Sequence, residues 1–153
     1  MMDYATAKQV LFERCQQYVA QRIETAKTAM EAAQAAANEE SKSSAGDKYE
    51  TGRAMAQIER DRHAQQLAEA LKLQQELARI DVGKTHSTAQ PGSLVITSQG
   101  NFFIAISAGK ITLDQTDYFA VSAASPIGAR LNHAKPNDEV VFNGKPMQIL
   151  TIC

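Results

Sequence analysis

The stretch Glu40-Ser41-Lys42-Ser43-Ser44-Ala45-Gly46 decides how the chain is read. It is a short cluster of small and polar residues between two long helical patterns. Residues 3–81 contain no proline, and Gly46 and Gly52 are their only glycines. They are dense in Ala, Gln, Glu, Lys, Arg and Leu, which favour helix. Before the break, Phe12, Cys15, Val19, Ile23, Ala26, Met30, Ala33 and Ala37 recur in steps of three and four. That is the apolar seam of a coiled coil, with one stutter between Val19 and Ile23. The seam narrows to alanine toward residue 37, so a partner backbone can come close there. After the break, a second pattern starts near Asp47 and carries Met55, Ile58, Leu67, Leu71, Leu73, Leu77 and Ile80. So short a break predicts an antiparallel pair. Each arm of roughly 34 residues is about 50 Å long at ~1.5 Å per residue. A chain of 153 residues cannot cover both arms along their whole length. The tip, near residues 40–53, is therefore expected to project into solvent or into a partner.

The composition changes after residue 82. All four prolines, Pro91, Pro126, Pro136 and Pro146, lie beyond residue 90, among Val, Ile, Phe, Thr and Ser with glycine punctuation. The polar run from Asp81 to Gln90 is the expected boundary between a helical domain, 1–82, and a second domain, 83–153. In the second, residues 93–98 and 101–107 read as strands joined at Gln99-Gly100. Tyr118-Phe119-Ala120-Val121 is a third strand. Ser125-Pro126 has helix-start chemistry, with Ser as N-cap and Pro at the first helical position. Residues 139–142 and 147–152 form a last hairpin turned by Asn143-Gly144. The expected fold is α+β: an antiparallel helical hairpin, then a small antiparallel sheet domain. About 70 residues make a small core, which docking on the base of the helical pair would support.

Bulk properties exclude several classes. With 16 basic and 17 acidic residues the net charge is −1, so coating nucleic acid by bulk positive charge is disfavoured. Up to Val82 there are 11 basic and 13 acidic residues, and after it 5 and 4, so neither half is a charged tail. Hydrophobic residues make up 44%, too many for a disordered chain. No run approaches the ~20 apolar residues of a membrane span. The opening MMDYATAKQVLFERC carries Asp3 and lacks a basic-then-apolar order, which predicts a cytoplasmic protein. Cys15 and Cys153 have no CxxC or Cys/His ligand spacing, so free thiols are expected rather than zinc or a disulfide framework.

Asp47 and Glu50 stand three residues apart at the start of the second helix and share a face. Two readings stand side by side. Asp-x-x-Glu before a helical run is a capping box, in which Asp47 caps the helix and Glu50 bonds back to the Asp47 amide. The pair is also a weak Mg²⁺ recruiter, since Mg²⁺ takes oxygen ligands and is often held by one or two protein carboxylates. The second role needs another protein's active site to supply further ligands. A capping carboxylate keeps spare lone pairs, so the two are compatible, although the positive helix N-terminus opposes a cation. Glu39 and Glu40 add acid across the loop. Lys42, Lys48 and Arg53 read either as a solvated helix end or as contacts to RNA phosphates. Gly52, inside the first turns, costs roughly 1 kcal/mol against Ala. His63, His86 and His133 show no ligand or triad spacing. Ser125 lacks a G-x-S-x-G context and reads as a cap. No convergent nucleophile–base set supports a small-molecule enzyme.

A long helical hairpin with Gly46-Asp47-x-x-Glu50 at its tip, followed by Ser125-Pro126-Ile127-Gly128 and Asn137-Asp138-Glu139-Val140, resembles the bacterial Gre transcript-cleavage factors, GreA and GreB. The resemblance spans nearly the whole chain in order and length. It implies an FKBP-like C-terminal domain that docks on bacterial RNA polymerase beside the secondary channel, with Ser125, Pro126, Ile127 and Gly128 as its partner-binding residues. It implies a coiled coil inserted down that channel in a monomeric, cytoplasmic factor. It further implies that Asp47 and Glu50 help hold the second Mg²⁺ and orient water while the polymerase cleaves backtracked nascent RNA. Lys42, Lys48 and Arg53 would then lie close to that RNA. Such a factor completes its partner's site and is not an enzyme alone. Where the family continues with Asn-Ala-Glu-Tyr, this chain has Thr51-Gly52-Arg53-Ala54. The alternatives are a polymerase-binding regulator of the same fold without cleavage activity, and a coiled-coil adaptor or homodimer.

Overall fold

A computed structural model describes residues 2–41 and 47–153, and the side chains of these apart from 40, 41 and 47–49. Two long helices form the hairpin: α1, Tyr4–Ser41, and α2, Asp47–Ala78. Asp3 starts α1 by accepting the Thr6 N–H at 2.7 Å, an N-cap bond that holds its carboxyl below the usual range. After a connecting segment come β1, Leu94–Thr97; β2, Gly100–Ala105; β3, Gly109–Leu113; β4, Thr116–Ser122; α3, Pro126–Leu131; β5, Glu139–Phe142; and β6, Lys145–Ile152. The chain divides into two compact units. One joins Met1–Tyr18 to Gln75–Cys153, and the other is Val19–Gln74.

In α1 the buried line runs Ala7, Leu11, Cys15, Val19, Ala26 and Ala37, close to the expected seam. Leu11 is wholly buried beside a half-buried Phe12. In α2 the expected seam is corrected. Met55 and Ile58 are 64% and 66% exposed, and Leu71 is exposed as well. The covered line instead runs through Gly52, Ala56, Arg60, His63, Leu67, Ala70, Leu73 and Leu77. At ~100° per residue, Met55 and Ile58 point well away from a line passing through Ala56. Small Ala56 and Ala70, with the long stem of Arg60 and the ring of His63, fill positions that a search for large apolar residues passes over.

The six strands form one sheet in the order β3-β4-β2-β1-β6-β5. The expectation of an antiparallel sheet is corrected here, because β2 and β4 pair in parallel, with Phe102 opposite Phe119 and Ile104 opposite Val121. The reason is β3, which was not expected. After β2 the chain crosses to the far position, turns at Gly109 (φ +81°), runs back as β3, and returns as β4 between β3 and β2. The β3–β4 turn is Asp114-Gln115, both in the left-handed region at φ 48° and 64°. Asp114 tolerates such angles, but Gln115 is not the Gly that usually completes the turn, so the signal in the sequence is weak. The Asn143-Gly144 turn (φ 52° and 75°) joins β5 to β6 as expected.

Alternation along the strands sends Val95, Ile104 and Ile149 to one face, where they pack with Leu131 of α3, Ala134 and Met147. Leu94 and Phe103, pointing the other way, are also fully buried, so the central strands are covered on both faces. Cys15 and Cys153 are free thiols. Among the described residues no helix is long and apolar enough to cross a membrane.

Candidate functional site

The start of α2 carries the residues with the most chemistry. Asp47 is its first residue and Glu50 follows three positions on, so both belong to one face of one helix. Glu50 and Arg53 are exposed, while Gly52 lies on the covered side of α2. The side chains of Asp47 and Lys48, and the whole of Lys42 and Gly46, lie outside the described residues. The capping bonds expected of Asp47 and Glu50 therefore lie outside them too. The donor set suits a hard oxygen-seeking cation, yet two carboxylates on one helix supply only part of an octahedral shell. Among the described residues no three His, Cys, Asp or Glu side chains come together as a metal group.

The Ser125–Gly128 motif has a local explanation. Ser125 Oγ donates to the Ser122 carbonyl at 2.6 Å and accepts the Gly128 N–H at 3.1 Å, capping α3, with Pro126 at its first turn. A Cβ on Gly128 would lie 1.9 Å from Ser122 O, so no other residue fits there without moving the backbone. Ile127 is half-buried against the sheet's core. Pro126 is the exposed member of the four.

The second stretch is ordered in a similar way. Asn137 is left-handed at φ 75°, and its N–H donates to Ile149 O at 2.8 Å. The Asp138 carboxylate accepts the Lys135 N–H at 2.9 Å. A cleft of about 420 Å³ opens beside this stretch, lined by Ser98, Asn137, Glu139, Pro146, Met147 and Gln148. No family model, curated protein or solved structure matches the chain.

The structure also brings together residues that no spacing rule groups. Lys8 of α1 is buried, 3% exposed, and its Nζ donates to Lys84 O at 2.8 Å. The buried His86 ring places Nδ1 2.8 Å from Ser93 Oγ, and Ser93 has no exposure at all. A Ser–His pair usually suggests a nucleophile, but a hydroxyl closed off from solvent cannot meet a substrate. Burial lowers the His86 pKa, and the nearby Lys8 and Lys84 charges lower it further, against an opposing pull from Asp81. His63, which has no ligand or triad spacing in the sequence, is half-buried, with Nδ1 2.9 Å from Gln66 Oε1 and Nε2 3.6 Å from Glu59.

Proposed function

We propose that the protein is a transcription elongation factor that binds bacterial RNA polymerase through the secondary channel and stimulates cleavage of backtracked RNA. The observation carrying this reading is the placement of Asp47 and Glu50 on one face at the start of the second of two long hairpin helices. In this reading the carboxylates supply oxygen ligands to the second of two Mg²⁺ ions, about 3.5–4 Å apart, and orient the attacking water. The chemistry remains the polymerase's own. Lys42, Lys48 and Arg53 lie close to the RNA and offset its phosphate charge. The C-terminal domain is FKBP-like and holds the factor beside the channel. Its capped Ser125–Gly128 turn fixes the shape of the surface that carries Pro126.

The test is RNA cleavage in stalled, backtracked complexes with Mg²⁺, comparing wild type with the Asp47→Ala/Glu50→Ala double variant. Stimulated cleavage by wild type and its loss in the variant are expected. No stimulation by wild type, or equal activity of both proteins, rejects the mechanism.

One observation favours a second reading. Met55, Ile58 and Leu71 stand exposed on α2, as they would on a coiled-coil adaptor that recruits a partner helix or a second copy. Light scattering after size exclusion separates the two readings. A concentration-dependent dimer that does not bind polymerase supports the adaptor.

A further inference from the structure

We propose that Lys8, His86 and Ser93 form a proton-sensitive latch, which fastens the segment between α2 and β1 to α1 and to the start of the sheet and opens when the imidazole takes up a proton. All three residues belong to the same compact unit. Lys8 reaches the segment from α1 through its bond to Lys84 O, and His86 reaches Ser93, just before β1, through Nδ1.

The hydrogen-bond geometry favours the neutral ring. Ser93 Oγ accepts the Gln90 N–H at 3.1 Å and can donate its own proton to Nδ1 at 2.8 Å. A protonated ring must donate from Nδ1 instead. The hydroxyl hydrogen then has the Thr88 carbonyl as its alternative acceptor, at a long 3.4 Å. The charges act in the same sense. From α1 the ring feels Lys8, and from its own segment Lys84, both opposing a third positive charge. Asp81, beyond the end of α2, is the carboxylate that favours protonation, and its Oδ1 accepts the Gly83 N–H at 3.1 Å. From the approach to β1 come Gly92 and the neutral Ser93, and from the end of α2 the apolar Ile80, which together with His86 crowds the space above Gly92. From the end of β6, Cys153 acts on Lys8.

The closed latch holds the imidazole titration below its ordinary value of ~6.5, while the open segment restores it. Closure is therefore complete above the ordinary value. It weakens as pH falls from there through the closed-state value.

The experiment is a pH titration of the whole chain by NMR, following the His86 ring and the protection factor of the Gln90 amide. His86 should titrate below the ordinary imidazole value. Gln90 protection should fall about tenfold for each pH unit between the open and closed titration points. Lys8→Met should move the His86 midpoint upward, as the loss of a nearby positive charge requires, and His86→Gln should remove the pH dependence of Gln90 protection. His86 titrating at or above the ordinary value, or Gln90 protection constant across its titration, overturns the latch. The wild-type titration decides the matter even if a variant fails to fold.

Discussion

The Ser122 carbonyl oxygen occupies the space that a side chain on Gly128 would need, 1.9 Å from an ideal Cβ. Gly128 is helical, so the constraint is steric and not one of backbone angle. Gly128→Ala should cost about 1–3 kcal/mol or more, as overpacking does. Gly144 makes a useful contrast, since a Cβ there meets nothing within 4 Å but φ is +75°. Gly144→Ala should cost about 1–2 kcal/mol through backbone strain alone. Urea unfolding of both variants measures the difference.

The same turn predicts a cap effect. Ser125→Ala removes the acceptor for the Gly128 N–H and the donor to Ser122 O. About 1 kcal/mol of stability should be lost, with Ser125→Asp recovering part of it as a cap. Thermal unfolding of the three proteins at one pH tests this.

The corrected seam of α2 is open to a direct comparison. Leu77→Ala removes a buried side chain and should cost about 2–5 kcal/mol. Met55→Ala and Ile58→Ala change exposed positions and should stay within ~0.5 kcal/mol of wild type. Equal losses at Leu77 and Ile58 in denaturant unfolding would contradict the packing described.

How much of this was legible in the sequence depends on which signal each feature carries. The helical hairpin was readable, because 38 and 32 residues of strong helix formers flank one polar break. The α3 cap and the β5–β6 turn were readable because Ser before Pro supplies an N-cap and a first helical residue, and Asn-Gly takes the two left-handed positions of a tight hairpin. Strand β3 was not, since Gln115 takes a left-handed angle where a hairpin turn usually has Gly, and Asp114 alone is a weak turn signal. With β3 unseen, the parallel pairing of β2 with β4 could not be foreseen. Along α2 and just beyond it, the apolar pattern marks the covered positions Leu67, Leu73, Leu77 and Ile80 but not the rest of the face, because Ala56 and Ala70 are covered while Met55, Ile58 and Leu71 are exposed. At the candidate site, the spacing of Asp47 and Glu50 was plain from sequence. The Lys8–His86–Ser93 cluster was not, because its members are brought together by the docking of separate elements and follow no spacing rule.

Cys15 gives a prediction at alkaline pH. Burial pushes its thiol up from the ordinary 9.0 to about 11. A group whose folded value is raised contributes stability that is complete below the unfolded value. That contribution is lost as pH rises from ~9 toward the folded value, by roughly 1.4 kcal/mol per unit. Cys15→Ser should flatten this part of the stability profile, read by denaturant unfolding between pH 8 and 11. In native protein at pH 8, thiol reagents should label Cys153, which is only partly buried, before Cys15.

The most direct test of the functional account is the Mg²⁺ dependence of RNA cleavage in backtracked complexes, measured with wild type and with Asp47→Asn and Glu50→Gln. These variants keep side-chain size but remove one anionic ligand each. If the carboxylates deliver a cation to the polymerase's site, the Mg²⁺ concentration for half-maximal cleavage should rise by about tenfold or more, the scale of losing one charged ligand contact of ~1.4 kcal/mol or more. An unchanged Mg²⁺ requirement at equal polymerase binding would contradict the account.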